Sequence, residues 1–393
     1  MSSDSIVIVA AKRTPIGAFQ GALGGATAPH LGATAIAAAL EASGADGADV
    51  DRVLMGCVLP AGLGQAPARQ AALAAGVPEG VPCVTVNKMC GSGLETIILA
   101  HDMIKAGSAG VVVAGGLESM SNAPYMLPKA RSGMRMGHQQ TLDHMFWDGL
   151  QDPYSGEMMG HFAQETADKY DFSRDEMDAY AIESVTRAQR AVEGGAFAEE
   201  VAPVTISSRR GDVTVETDET PGTVSIDKIP KLRPAFRKDG TVTAATSSSI
   251  SDGAAAVVMM TAAEAEKRGL QPIARIVGHS AFAHEPAWFT TAPIYALKKL
   301  HESLGWTPDD VDLYEINEAF AVVTMAALKD VGISHDKTNV NGGACALGHP
   351  IGATGCRISV TLLHALKAQG GKRGIATQCI GGGEATAVAY EML

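Results

Sequence analysis

Two stretches decide the fold when laid side by side: VNKMCGSGLETIILAHDMIKAG at residues 86–107 and VNGGACALGHPIGATGCRISVTLLHALKAQG at residues 340–370. Each opens on Val-Asn, passes through a glycine-rich turn and enters an apolar-periodic run that predicts a helix. The flanking segments repeat as well. The first telling holds the buried strand SIVIVAAKRTP, an Ala-rich helix around 31–43, the strands VDRVLMGCV and VPCVTV, and after the helix the strand GVVVAGG. The second holds PIARIVGHSAFA, the helix PIYALKKLHESLG, then VDLYEINEAF and, after its own helix, RGIATQCIGGG. Order and details agree, down to Val-Asp before the second strand of each. The chain is an internal duplication of a mixed α/β unit, two halves packing with pseudo-twofold symmetry.

One interruption breaks the parallel. IGGG runs directly into the last strand, EATAVAYEML, whereas its counterpart DGAAAVVMM starts at Asp252, roughly 135 residues after the first glycine pair. Residues 117–251 therefore read as an insertion. The first half comprises 1–116 plus 252–270, and the second 271–393. The insert contains a helix, SRDEMDAYAIESVTRAQRAV, with Ser173 and Glu176 spaced for a capping box. Long excursions of this kind are usually lids or binding loops.

Composition narrows the class. With 393 residues and 46% apolar content the chain can bury a large core in more than one unit. No apolar run reaches the roughly 18 residues of a membrane span. The start lacks the pattern of a signal peptide, and YEML is not a peroxisomal address; a cytoplasmic protein is expected. A net charge of −12 argues against nucleic acid or anionic membranes as partners. Against it stands one basic run, DKIPKLRPAFRKDG, with Lys228, Lys231, Arg233, Arg237 and Lys238. It is either a solvated loop or a receiver for a phosphorylated ligand. The six cysteines show no metal or redox spacing, so free thiols are expected and no metal site is read.

Three residues stand out chemically. Cys90 sits between a strand and a glycine-opened helix, where unpaired N–H groups and the helix dipole favour a thiolate. Gly91 and Gly93 leave room for a substrate beside the backbone. His349 occupies the matching turn of the second half, stiffened by Pro350, and the duplication sets it opposite Cys90 as a base. Cys379, before three glycines, and the pair Asn317–Glu318 are polar groups at strand ends; structural and functional readings are balanced on the residues alone.

At these residues the chain resembles the thiolase family. VNKMCGSGL looks like its nucleophile motif, NEAFA its second, GGACALGHPIGATG its histidine motif and CIGGG its last, all in order across essentially the whole chain. The resemblance implies a duplicated αβαβα fold with an inserted loop domain that binds coenzyme A. It implies acyl-CoA:acyl-CoA acyl transfer: two acetyl-CoA condensed to acetoacetyl-CoA, or 3-ketoacyl-CoA thiolysed, through an acyl group on Cys90. His349 would deprotonate Cys90, Cys379 would move the α-proton, and the N–H groups of Cys90 and Gly381 would form one oxyanion site. Asn317, holding a water, would form the other with His349. Ser248, Leu232, Met159, Phe320 and Phe289 match substrate or CoA contacts. Coenzyme A would be substrate and product, with no other cofactor, and the assembly a homodimer or homotetramer.

Some positions depart from the pattern. Ala245, Thr246 and Ser249 alter a pantetheine-facing turn, Met158 stands where short-chain biosynthetic relatives often have histidine, and Phe289 where they often have methionine. Two alternatives belong to other classes. A 3-ketoacyl synthase shares the fold but pairs its cysteine with two histidines or with histidine and asparagine, against which Cys379 speaks. A non-catalytic acyl-CoA-binding protein would have lost part of the set Cys90, Asn317, His349 and Cys379.

Overall fold

The computed structural model describes residues 4–207, 209 and 211–393. The first three residues, part of the stretch read for a leader, lie outside these. Nine principal strands form one sheet: β1 (Ile6–Arg13), β2 (Arg52–Gly56), β3 (Cys83–Val86), β4 (Val112–Ser119), β5 (Ser251–Thr261), β6 (Ala274–Ala283), β7 (Leu313–Ile316), β8 (Arg373–Ile380) and β9 (Glu384–Met392). Their spatial order is β7-β8-β9-β6-β1-β5-β4-β2-β3, with a short tenth strand, Gly17–Ala18, on β5.

The duplication is visible in the pairing. β2 runs parallel to β3 and β4, and β5 antiparallel to β4 and β1. In the second half β7 is parallel to β8, and β9 antiparallel to β8 and β6. Where β3 would recur there is a single parallel bridge, Tyr314 to Thr338. The repeated Val-Asp also does the same work twice. Asp51 accepts hydrogen bonds from the N–H groups of Gly110 and Val111, and Asp312 from those of Lys372 and Arg373. Each carboxylate satisfies backbone donors just ahead of its neighbouring strand.

The principal helices are α1 (Ala28–Ser43), α2 (Pro67–Ala74), α3 (Ser92–Lys105), α4 (Met159–Tyr170), α5 (Arg174–Glu193), α6 (Ala292–Leu304), α7 (Ala321–Val331) and α8 (Thr354–Gln369). Because both faces of the strands are buried, residues of both parities are apolar, and alternate ones enter different cores. Val53 and Met55 pack with α1 and α2, while Leu54 faces the middle. Ile316 and Ile375 pack with α6 and α7, while Leu313 and Ala376 face the middle. The middle layer is α3 against α8. Only two Cα pairs, Val7–Arg275 and Ile8–Ala274, join the two half-sheets, so the layers stack as αβαβα.

Two glycine expectations change. β4 does not stop at Gly115–Gly116 but continues to Ser119 opposite Asp252. A Cβ on Gly115 would lie 2.2 Å from Ala255 O, and one on Gly116 2.1 Å from Gly352 O. Gly115 thus admits the backbone of β5 and Gly116 that of the second half, rather than ending the strand. Likewise a Cβ on Gly93 would lie 2.8 Å from Cys356 N, and one on Gly91 2.4 Å from Ile380 Cδ1. The space read as room for substrate is filled by the start of α8 and the end of β8.

In the insert, Ser173 and Glu176 form the capping box of α5: Ser173 N donates to Glu176 Oε2 at 2.8 Å and Glu176 N to Ser173 Oγ at 3.2 Å. The helix is pinned by Glu318, which is buried and accepts from Tyr180 Oη (2.8 Å), Ser184 Oγ (2.7 Å), Asn339 Nδ2 (2.8 Å) and Cys345 N (3.1 Å). With four donors on one carboxylate, Glu318 is a structural clamp, unlike its neighbour Asn317.

Candidate active site

The turns that end strands in both halves converge on a cavity of about 230 Å³. Cys90, His349 and Gly381 line it together with Ser248, Met159, Phe320 and Phe289, and with Met158 and Ser249. Leu232 is not among its lining residues; its carbonyl instead accepts from Arg174 Nη2 at 2.8 Å. The basic run lies exposed, with Arg237 held at 2.6 Å by Asp168 and at 3.1 Å by Asp239. Thr246 is fully buried and holds its own turn, its Oγ1 accepting from Thr243 N at 2.8 Å.

Cys90 is presented by a strained backbone. Met89, just before it, has φ +48°, a region non-glycine residues seldom enter, and Met89 N donates to Asn87 Oδ1 at 3.0 Å. The N–H groups of Gly381 and of Cys90 itself favour the thiolate. Burial beside Met120 and Ile351 outweighs them, and the thiol is pushed up to about 11. The helix-terminus expectation of a lowered pKa therefore fails for the free protein: apolar enclosure removes more solvation than two N–H groups return. Cys90 rests as a thiol and needs a base.

His349 has the form of that base. Its Nδ1 lies 2.6 Å from Thr354 Oγ1, and the Thr354 hydroxyl donates to Pro350 O at 2.9 Å. A hydroxyl has one hydrogen, so Nδ1 is the donor and Nε2 is left with its lone pair. Burial, with Arg357 nearby, pushes the imidazolium down to about 3, so the ring is neutral. Nε2 faces Asn317 Nδ2 at 3.5 Å. Asn317 is anchored by its own N–H on Thr377 O at 2.9 Å, and its buried Oδ1 has no hydrogen-bond partner. A buried amide oxygen without a partner is uncommon in folded proteins and calls for a reason.

Cys379 is fully buried at the end of β8. Burial, then the neighbouring Cys90, raise its pKa well above the ordinary thiol value. A Cys90 thiolate thus opposes ionisation of Cys379, which suits groups that carry charge in turn. The glycines after it turn the chain through φ +97° and +90° at Gly382 and Gly383, orienting the Gly381 N–H at Cys90.

Thr354 escaped the sequence reading, and so did a second residue. Glu118, fully buried at the end of β4, accepts from Val58 N (2.9 Å), Leu59 N (3.2 Å) and Gly352 N (2.9 Å). It ties the His349 turn to the loop that accepts from Asn87 Nδ2 at 3.5 Å through Val58 O. Burial raises its pKa to about 7 despite these donors. The available signal was a lone carboxylate closing an otherwise apolar strand.

A thiol, a neutral imidazole with one unprotonated nitrogen, a second thiol and N–H groups at the first are the groups a covalent acyl-transfer site requires. Comparison with known proteins agrees. Residues 6–263 match the model of the thiolase N-terminal domain and residues 270–392 that of the thiolase C-terminal domain. The chain belongs to the thiolase family. It is 48% identical to an acetyl-CoA acetyltransferase of Pseudomonas aeruginosa over 386 residues, 98% of each chain. It is also 48% identical to acetyl-CoA acetyltransferase 2 of Arabidopsis thaliana, over 99% of this chain and 97% of the relative. The solved acetyl-CoA acetyltransferase of Bacillus anthracis superposes with TM-score 0.97 at 42% identity, covering 99% of both chains. A thiolase of Ascaris suum in complex with coenzyme A gives 0.94 at 41%, covering 99% of this chain and 100% of that one.

Proposed function

We propose that this protein is an acetyl-CoA C-acetyltransferase, condensing two acetyl-CoA to acetoacetyl-CoA and catalysing the reverse thiolysis. The observation that carries the reading is Cys90, His349 and Gly381 on one cavity, with Cys379 buried beside Cys90. His349 Nε2 takes the Cys90 proton as the sulfur attacks the thioester carbonyl. The N–H groups of Cys90 and Gly381 stabilise the oxyanion, a contribution of about 3–4 kcal/mol per donor in comparable sites.

Collapse of the intermediate breaks the C–S bond to coenzyme A, whose sulfur takes a proton from Cys379. Cys90 is then a neutral thioester, so the charge that opposed ionisation of Cys379 is gone. The Cys379 thiolate removes the α-proton of a second acetyl-CoA. The enolate oxygen is received by His349 and a water on Asn317, and its carbon attacks the acyl group on Cys90, which leaves as sulfur.

Ser248, Met159, Phe320 and Phe289 would contact the pantetheine and acyl parts, and Leu232 with the basic run the nucleotide. Coenzyme A is substrate and product, and the chemistry calls for no other cofactor. Cytoplasmic residence, a role in fatty acid metabolism and a homodimeric or homotetrameric assembly belong to the same proposal. Among the described residues no helix is long and apolar enough to cross a membrane.

The test is transfer of label from [14C]acetyl-CoA. One equivalent on Cys90, lost in Cys90→Ser, is expected, with acetoacetyl-CoA formed. Coenzyme A binding without label on Cys90 overturns the reading in favour of a non-catalytic acyl-CoA-binding protein.

A further inference from the structure

Three turns beyond Cys90, helix α3 meets strand β6 of the second half. His101 Nδ1 lies 2.9 Å from Asp102 Oδ1, and His279 Nε2, arriving from β6, lies 3.0 Å from the same oxygen. These three atoms all lie within 4.8 Å of one another, and among the described residues no other three His, Cys, Asp or Glu side chains converge in this way. The rings meet edge to face, 5.1 Å between centroids.

We propose that His101, Asp102 and His279 form a binding site for a divalent transition-metal ion of the zinc type, linking the helix that carries the nucleophile to the opposite half. Two imidazole nitrogens and one carboxylate oxygen are the donor set such ions take, with solvent as a fourth ligand. Bonds of about 2.0–2.2 Å in a tetrahedron put ligand atoms about 3.3–3.6 Å apart. The nitrogen–oxygen separations here, 2.9 and 3.0 Å, would open by about 0.3–0.7 Å, and the two nitrogens lie within 4.8 Å of each other. The site is also reachable: Asp102 is 56% exposed, while the rings are 18% and 26% exposed and held in place. Glu95, on the same helix, adds negative charge toward His279, and Lys105 lies toward His101. The ion would fix α3 against β6 and take no part in acyl transfer.

The experiment uses the full chain, freed of metal with a chelator. Zn2+ is titrated by calorimetry and Co2+ by visible absorption, and the thermal midpoint is read with and without ion. One equivalent is expected to bind, raising the midpoint, with a Co2+ spectrum free of a thiolate charge-transfer band. His101→Ala and His279→Ala should each weaken binding by at least about tenfold and abolish the midpoint rise. Circular dichroism of the metal-free variants, with His279→Asn as a milder change, separates a lost site from a lost fold. Cys90→Ser should bind as the parent does. Binding unchanged in both histidine variants, binding lost in Cys90→Ser, or no uptake at millimolar ion overturns the proposal.

Discussion

Thr354 decides which nitrogen of His349 carries the proton. Its hydroxyl lies 2.6 Å from Nδ1 and donates its own hydrogen to Pro350 O at 2.9 Å, so the unprotonated nitrogen is Nε2. Thr354→Val keeps the shape and removes the acceptor. We expect kcat to fall about 10- to 100-fold with KM little changed, by analogy with other residues that orient an imidazole. Thr354→Ser should restore most of the rate. Steady-state thiolysis of acetoacetyl-CoA reads both, and a Val variant at parental kcat would remove Thr354 from the mechanism.

Cys90, pushed up to about 11, is a thiol at neutral pH in the free protein. Its alkylation by iodoacetamide should climb from about pH 7 to about pH 10 without a plateau, since the thiolate fraction is still rising there. A plateau below about pH 8 would mean that the N–H groups win over burial. Peptide mapping of the labelled cysteine checks the site.

Glu118 has a raised folded pKa, 4.5 to about 7. The folded state therefore binds more protons than the unfolded one between those values, and stability falls as pH rises through that window. The contribution is complete below about pH 4.5 and lost above about pH 7. Urea unfolding across this range should show that decline in the parent and a flatter line in Glu118→Gln. The amide also turns its NH2 toward backbone donors, so a loss of about 1–3 kcal/mol is expected, with a lower kcat because the His349 turn is less firmly held.

Phe289 lies 3% exposed, edge to face with Phe162 at 6.5 Å between centroids, and lines the cavity. Phe289→Ala should cost about 3–5 kcal/mol of stability. It should also shift kcat/KM toward longer 3-ketoacyl-CoA chains, by about tenfold for a few added methylenes. A thiolysis series from four carbons upward checks it; an unchanged chain-length profile would place the acyl group elsewhere.

Much of this was legible from residues because a duplication states each element twice. The Val-Asn pairs marked the turns that lead toward α3 and α8, and the Val-Asp pairs marked strands whose carboxylates prove to hold equivalent N–H groups. Glycines were harder. Gly93 and Gly116 read locally as room or as a strand end, but their reason lies in Cys356 and Gly352, some 240 to 260 residues away by the numbering. Thiol ionisation was equally out of reach: a helix start is visible in sequence, whereas the apolar side chains that close over Cys90 come from distant segments. Glu118 was passed over because a single acid in a strand carries no motif.

The clamp at Glu318 bears on how the protein can be taken apart. Its carboxylate receives Tyr180 and Ser184 from the insert and Asn339 and Cys345 from the second half. Excising the insert would strand a buried anion one residue from Asn317, at a cost of several kcal/mol. The excursion is thus no detachable accessory: trimming it away breaks the clamp, and engineered swaps of this segment must carry Tyr180 and Ser184 with them.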